Sequence, residues 1–289
     1  GGTIISFLYP LNYKEILDVA VKEGANLISM DFVPRTTLAQ KMDALSSQAN
    51  IAGFKSVLVG AVELPKIFPL MMTAAGTVKP AKVVIMGAGV AGLQALGTAK
   101  RLGAIVEVSD IRPAVKQEVE SLGGRFIEVE MDPSMQDERG YAKEATPEFL
   151  QKQKELIFKH VTNADLVITT ALVPGRKAPI LVSAEMIKNM RPGSVVVDIA
   201  TEFGGNCELS EHNKTVISNG VKIISAPNLA SEVSTLSSEL YGKNLLALIS
   251  HLSKDGVMNI DSEDEILKGC LIVKKGEIVN KRVKEFYGL

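Results

Sequence analysis

The chain has 289 residues, 46% apolar and 22% charged, enough to bury a core and close to the size at which one core divides into two domains. Its 32 basic and 33 acidic residues are interspersed and leave a formal charge of −1, so nothing points to capture of nucleic acid or of an anionic membrane surface. Cys207 and Cys270 are too few for a disulfide framework and fit a reducing compartment, while His160, His212 and His251 lack metal-ligand spacing, so no metal site is expected.

The chain opens Gly-Gly-Thr with no Met and no signal-peptide pattern, which reads as the boundary of a fragment. An apolar run at residues 3–7, helical periodicity over 13–23 and a strand at 26–30 make a βαβ fragment. Residues 34–50 are unusually polar and run into a long helix reaching about residue 64; from composition alone they read as a solvated helix face with Thr36 or Thr37 as cap. The most apolar region, residues 57–78, contains Glu63, Pro65, Lys66 and Pro69, which argues for helix and turn rather than a membrane span.

Lys82-Val-Val-Ile-Met-Gly87-Ala-Gly89-Val90-Ala-Gly92 reads as a buried strand passing through a glycine turn into a helix over 90–102. Gly87 allows the tight turn, Gly89 lets the backbone approach a pyrophosphate, and Gly92 lets the helix pack against the strand. A second apolar strand at 105–108 follows, and Asp110 falls 18 residues after Gly92, where an acid accepts hydrogen bonds from an adenosine ribose. Asp110 repels a 2′-phosphate, so the turn is read as binding NAD(H) rather than NADP(H), with Arg112 either solvated or an adenosine contact.

Helices at 114–122, 147–161 and 184–190 alternate with strands at 125–129, 166–170, 194–199 and 222–225, the pattern of a parallel, doubly wound sheet running from residue 79 to 227. Residues 130–146 have no apolar period and read as a lid hinged at Gly140. Thr170 to Gly175 and Asp198 to Asn206 follow strands at the edge where open α/β sheets bind ligands, although Pro174-Gly175 and Gly204-Gly205 also satisfy plain turn chemistry. A second long helix over 231–252, capped near Ser231 or Ser234, returns the chain to the first domain, and Cys270 to Val279 reads as a hairpin. The expected architecture is α/β: two Rossmann-like domains with parallel sheets, linked by two long helices. The first comprises residues 1–52 and 232–289, and the NAD-binding domain residues 53–231.

Several stretches together carry a resemblance. Pro34-Arg-Thr-Thr-Leu-Ala-Gln-Lys-Met-Asp-Ala-Leu-Ser-Ser-Gln, Met72-Thr-Ala-Ala-Gly-Thr-Val-Lys-Pro-Ala, the glycine turn, Gly140-Tyr-Ala-Lys-Glu, Thr170-Ala-Leu-Val-Pro-Gly and Gly204-Gly-Asn-Cys resemble domain I of proton-translocating nicotinamide nucleotide transhydrogenase, over nearly the whole chain. The resemblance replaces the solvated-helix reading of residues 34–50. It implies that Arg35, Thr36, Thr37 and Gln40, with Asp43 and Ser46, serve the nicotinamide half of NAD(H). It implies further that Val90 lies on the phosphate turn, that Asp110, Ile111 and Arg112 hold the adenosine, that Gly140 and Tyr141 belong to a closing loop, and that Thr170 and Leu172 are strand-end contacts. The implied reaction is direct hydride transfer from or to NADP(H) on a separate domain III, coupled to proton movement through a membrane domain II. The implied protein is a homodimer held peripherally at a membrane, on its cytoplasmic or matrix side, with no inserted segment of its own. Family members begin well upstream of Gly1, so the first domain is expected to be N-terminally incomplete.

Two other readings share the fold signal. Alanine dehydrogenase, in the same superfamily, oxidises its own small substrate with a histidine after an early strand and an aspartate in an Asp-Ile-Ala-x-Asp region; this sequence has Tyr9 and Glu202 near those positions. A non-catalytic NAD-sensing module explains the glycine turn but gives no reason for Arg35, Gln40 and Asp43.

Overall fold

The computed structural model describes residues 1–128, 147–260 and 263–289. In chain order the elements are β1 (Thr3–Ser6), α1 (Lys14–Lys22), β2 (Asn26–Ser29), α2 (Ala44–Glu63), β3 (Met71–Thr73), β4 (Gly76–Val78), β5 (Lys82–Met86), α3 (Val90–Arg101), β6 (Ile105–Ser109), α4 (Lys116–Ser121), β7 (Arg125–Phe126) and α5 (Pro147–Thr162). They continue through β8 (Leu166–Thr169), α6 (Ala184–Asn189), β9 (Val195–Asp198), β10 (Thr215–Ser218), β11 (Val221–Ser225), α7 (Ser234–Leu252), β12 (Ser253–Lys254), β13 (Val257–Met258), α8 (Glu265–Cys270), β14 (Leu271–Lys274), β15 (Glu277–Ile278) and α9 (Lys281–Tyr287). Two units emerge: Gly1–Ile51 with Val173–Arg176 and Ala230–Leu289, and Ala52–Leu172 with Lys177–Leu229.

In the second unit, strands β5, β8 and β9 are apolar at nearly every position because helices cover both faces of the sheet. Val83, Ile85, Leu166, Ile168, Val195 and Val197 face one core with Ala95, Leu96 and Ala99 of α3; Val84, Met86, Val167, Val196 and Ile223 face the other with Val161 of α5 and Ile187 of α6. Alternate residues of each strand therefore enter opposite layers. The strand order is β10-β11-β9-β8-β5-β6-β7, parallel except for β10. From β5 the chain winds outward through β6 and β7, then returns to place β8 on the other side of β5. The order thus reverses between β5 and β8, and at such a switch point the carboxyl ends of adjacent strands diverge and leave a crevice.

One ionic cluster is buried in this sheet. Glu107 on β6 accepts from Lys82 Nζ at 2.9 Å and pairs with His160 Nδ1 at 2.6 Å, linking β5, β6 and α5. Burial pushes the Glu107 carboxyl up, but the hydrogen bonds from His160 and Lys82 outweigh it and hold it below the usual carboxylate range. A carboxyl lowered on folding stabilises the fold above its unfolded value, and that contribution vanishes as pH falls through its folded value. Glu107→Gln is therefore expected to lower stability by about 1–3 kcal/mol at neutral pH and to lose this advantage of the parent in acid. Urea unfolding at neutral pH and below the carboxylate range measures both; equal midpoints at neutral pH would assign Glu107 no stabilising role.

In the first unit the sheet order is β1-β2-β14-β15. Only β1 and β2 pair in parallel; β14 runs antiparallel to β2, and β15 to β14, so the all-parallel expectation fails for this sheet. The reason is the Lys275-Gly276 turn, where both residues have positive φ and fold β15 straight back along β14. Asn26 anchors this turn, its side-chain oxygen accepting the Lys275 N–H at 2.7 Å.

Other differences are local. Residues 57–78 do not end as helix and turn but in the β3–β4 hairpin. The helix expected over 114–122 is a 3-10 turn, Pro113–Val115, followed by the short α4. Neither serine caps α7: the residue before it is Val233, without a side-chain cap bond, preceded by a 3-10 turn at Leu229–Val233. The strand expected over 125–129 spans Arg125–Phe126, and residue 129 lies outside the described residues together with the expected lid at 130–146 and its Gly140 and Tyr141. Strand β10, not anticipated, joins β11 through Asn219-Gly220, both at positive φ, a strong hairpin signal. Among the described residues no helix is long and apolar enough to cross a membrane.

Candidate nucleotide-binding and hydride-transfer site

The first group of residues lies at the switch point. Gly87 follows β5 with φ +112 and donates its N–H to Ser109 O at 2.8 Å, tying the turn to the end of β6. A Cβ on Gly92 would lie 1.8 Å from Gly87 O, so only glycine allows α3 to start this close to the strand. A Cβ on Gly89 would meet nothing within 4 Å, which leaves open space where the backbone can approach a pyrophosphate. Val90 begins α3, and the first N–H groups of that helix lack intrahelical acceptors. Thr170, after β8, closes the other side: its hydroxyl donates to Gly87 O at 3.2 Å.

Asp110 ends β6 with its side chain only 7% exposed. Its Oδ2 accepts the Ala88 N–H at 2.7 Å, and its Oδ1 accepts the Arg112 N–H at 2.9 Å. The Arg112 guanidinium completes the set, Nε to Oδ1 and Nη2 to Oδ2, both at 2.9 Å. Burial pushes this carboxyl up, yet the Arg112 guanidinium and the two backbone donors together hold it below the usual range. Arg112 is thus neither simply solvated nor free for an adenosine; it is the carboxylate's partner. Ile111 between them is 89% exposed, an apolar side chain with no place in either core. Leu172 is also exposed.

The Thr170–Leu172 strand end is held by residues whose role was not foreseen. Asp198, fully buried at the end of β9, accepts from the N–H groups of Ala200, Asn206 and Cys207 and from the Ser210 hydroxyl. This shapes the Gly204-Gly205 turn so that buried Asn206 accepts the Ala171 N–H at 2.9 Å and donates to Ala171 O at 2.9 Å and Pro179 O at 2.8 Å. The Gly-Gly-Asn run after an aspartate was the available signal, but its partners are far away in sequence.

The second group lies in the first unit, on the loop between β2 and α2. Thr36 O accepts the Ala39 N–H at 3.1 Å, and Ala39 O accepts the Met42 N–H at 2.8 Å, coiling the loop into a 3-10 turn at Gln40–Met42. Ala39 and Met42 are buried against Leu248 and Leu252 of α7. Asn244 of α7 adds a bond from its amide to Lys41 O at 2.8 Å and accepts the Ser47 hydroxyl at 2.7 Å. With these residues facing inward, Arg35, Thr36, Thr37 and Gln40 are turned out to solvent around an open depression of about 290 Å³ that Pro34, Ala39 and Asp43 help to line. The side chains of Arg35 and Gln40 have no partner among the described residues.

Asp43 and Ser46 behave differently from the rest. Asp43 Oδ1 accepts the Ser46 N–H at 2.9 Å and Oδ2 the Ser46 hydroxyl at 2.7 Å, so Asp43, not Thr36 or Thr37, caps α2. Its carboxylate is committed to the helix end.

A glycine turn at the switch point of a doubly wound sheet, with an acid at the end of the next strand, defines an NAD(H)-binding Rossmann protein. Two family models divide the chain between them: "Alanine dehydrogenase/PNT, N-terminal domain" matches residues 1–52 and "Alanine dehydrogenase/PNT, C-terminal domain" residues 56–281. The chain is 45% identical over 287 residues to the first of the proteins that make up the NAD(P) transhydrogenase subunit alpha of Rickettsia prowazekii, covering 99% of this chain and 74% of that protein. The crystal structure of transhydrogenase from Sinorhizobium meliloti superposes with a TM-score of 0.86 at 43% identity, over 96% of this chain and 75% of that one. An L-alanine dehydrogenase structure is more distant, at 28% identity and a TM-score of 0.77 over 99% of this chain and 75% of that one. The chain belongs to the alanine dehydrogenase/PNT family, on its NAD(P) transhydrogenase branch, and is an NAD(H)-binding oxidoreductase component of the transhydrogenase alpha-subunit type.

Proposed function

We propose that this chain presents NAD(H) for direct hydride transfer to and from NADP(H) on a separate domain III, within an assembly whose membrane domain II moves protons. The observation that carries the reading is the outward set of Arg35 and Gln40, unpartnered among the described residues and held on a loop fixed by buried Ala39, Met42 and Asn244. When bound, the nucleotide supplies the hydride from its dihydronicotinamide ring, and no proton accompanies it. The protein's work is therefore orientation, not acid–base chemistry. The Asp43 carboxylate fits that division, since both its oxygens are engaged by Ser46 and it is no free base. In this reading Arg35, Thr36, Thr37 and Gln40 contact the nicotinamide half; Gly87, Gly89, Val90 and Gly92 admit the pyrophosphate; Asp110 with Ile111 takes the adenosine ribose and base; and Thr170 and Leu172 add strand-end contacts.

The test mixes the purified chain with a transhydrogenase domain III and follows hydride exchange between NADH and an NADP analogue. Exchange supports the reading. Alanine-dependent NAD reduction would assign the chain to the dehydrogenase alternative, and tight NADH binding with neither activity to a sensor.

The same reading makes the chain a homodimer, peripheral at a membrane. Leu70, Met71 and Met72 leave a run of exposed apolar side chains on the β3–β4 hairpin, the kind of surface a second subunit covers. Met72→Glu is expected to shift the chain to monomer in sedimentation; a variant sedimenting like the parent would place the interface elsewhere.

A further inference from the structure

We infer that Arg112 is a latent 2′-phosphate ligand, masked by Asp110, and that this masking is what keeps NADP(H) out of the site. The inference rests on the NAD(H) reading of the Gly87–Gly92 turn and adds a specificity-determining residue to it. An arginine two residues after the ribose-binding acid is where a 2′-phosphate partner is placed in NADP-binding relatives of this fold. Here the guanidinium is 56% exposed and long enough to serve, yet it lies side-on against Asp110 with Nε and Nη2 each 2.9 Å from a carboxylate oxygen.

Local geometry enforces the pairing. Pro113 follows, which keeps Arg112 in an extended conformation, φ −96 and ψ 109, and that backbone setting turns the Arg112 N–H back onto Asp110 Oδ1. Asp110 is itself fixed by the Ala88 N–H at 2.7 Å, so the carboxylate cannot swing away to release the arginine. With two donors on each oxygen, Asp110 has no spare lone pair of good geometry. A ribose 2′-hydroxyl gains access by displacing one guanidinium N–H and donating in its place, a like-for-like exchange. A 2′-phosphate can donate nothing, and it brings a negative charge to a buried negative charge whose neutralising partner it would have to remove. The pair thus discriminates by hydrogen-bond polarity as well as by charge.

The prediction is a transfer of specificity that requires both residues. Asp110→Asn keeps an oxygen for the Ala88 N–H but cannot neutralise Arg112; Asp110→Ser is a second variant that also retains an acceptor. Titrations follow the fluorescence of NADH and NADPH, since the chain has no tryptophan to interfere. The parent is expected to bind NADH and to bind NADPH far more weakly. Each Asp110 variant is expected to gain NADPH affinity by roughly 10- to 100-fold, the scale of a charge-assisted hydrogen bond, and to prefer 2′-AMP to 5′-AMP. Adding Arg112→Ala abolishes the gain, whereas Arg112→Ala alone leaves NADPH rejected because the carboxylate remains. The gain shrinks with added salt, as contacts between an exposed cation and a phosphate do. An Asp110 variant that gains nothing, or a double variant that binds NADPH as well as the single, overturns the inference while the parent still binds NADH. A parent that fails to bind NADH overturns the reading of the turn itself.

Discussion

Gln40→Asn is expected to slow hydride transfer by about 10²-fold while leaving most of the NADH affinity in place. Gln40 opens the 3-10 turn Gln40–Met42, exposed beside Thr36 and Thr37, between the buried anchors Ala39 and Met42. Those anchors fix the backbone, so the loop cannot advance to make good a shorter side chain. Asparagine keeps the amide but withdraws it by roughly an ångström, and when orientation is the main catalytic contribution a misplacement on that scale costs about two orders of magnitude. The pyrophosphate turn and Asp110 are untouched, so the binding energy they contribute persists. Single-turnover transfer with a saturating domain III partner, set beside an NADH titration, separates the two effects. A transfer rate within about twofold of the parent, against a loss on the order of 10²-fold, would remove Gln40 from the positioning of the nicotinamide.

Gly92→Ala should abolish NADH binding and destabilise the second unit together. The added Cβ lies 1.8 Å from Gly87 O and 2.9 Å from Gly87 C, a clash with backbone that no rotamer relieves. Either α3 must move off β5 or the Gly87 turn must open, and both shift the N–H groups that face the phosphates. Overpacking of this kind costs about 1–3 kcal/mol and more where backbone must yield. Two neighbours act as controls. At Gly97 a Cβ meets only Arg101 Nη1 at 3.5 Å, so Gly97→Ala is expected to stabilise the helix by roughly 0.4–1 kcal/mol and leave binding alone. At Gly89 the backbone, φ −79 and ψ −172, suits any residue and the space is open. Gly89→Ala should therefore weaken binding without loss of stability, because the methyl stands where the pyrophosphate approaches. Thermal unfolding and NADH titration of the three variants give the pattern; a Gly92→Ala protein that unfolds and binds like the parent would mean that the α3–β5 approach is not as close as described.

The strand–turn–helix–strand run from Lys82 to Ser109 was legible because everything that specifies it is short-range. Apolar residues suit a strand covered on both faces, and Gly87 and Gly92 meet restrictions set within a few residues of themselves. The family resemblance likewise needed only contiguous motifs. Where the relevant partner lies far along the chain, composition and spacing carried no sign of it. The first sheet is mixed because β14, from the end of the chain, pairs antiparallel with β2 from its start. Asp198 and Asn206 read as turn residues until the fold brings Ala171 and Pro179 to them.

Residues 34–50 show both regimes at once. Their polarity marked them as exposed, and Arg35, Thr36, Thr37 and Gln40 are exposed. That the exposure is a fixed presentation rather than a solvated helix face follows from Ala39 and Met42 packing on Leu248 and Leu252, and from Asn244 holding Lys41 O, all contacts with a helix some two hundred residues away. Asp110 and Arg112 are two residues apart, and an acid at a strand end followed by an arginine is visible by eye. Whether the arginine awaits a phosphate or neutralises the acid depends on which way the guanidinium turns. That was decided by the Ala88 N–H and the strand end that pin the carboxylate, an arrangement present only once β5 and β6 lie side by side.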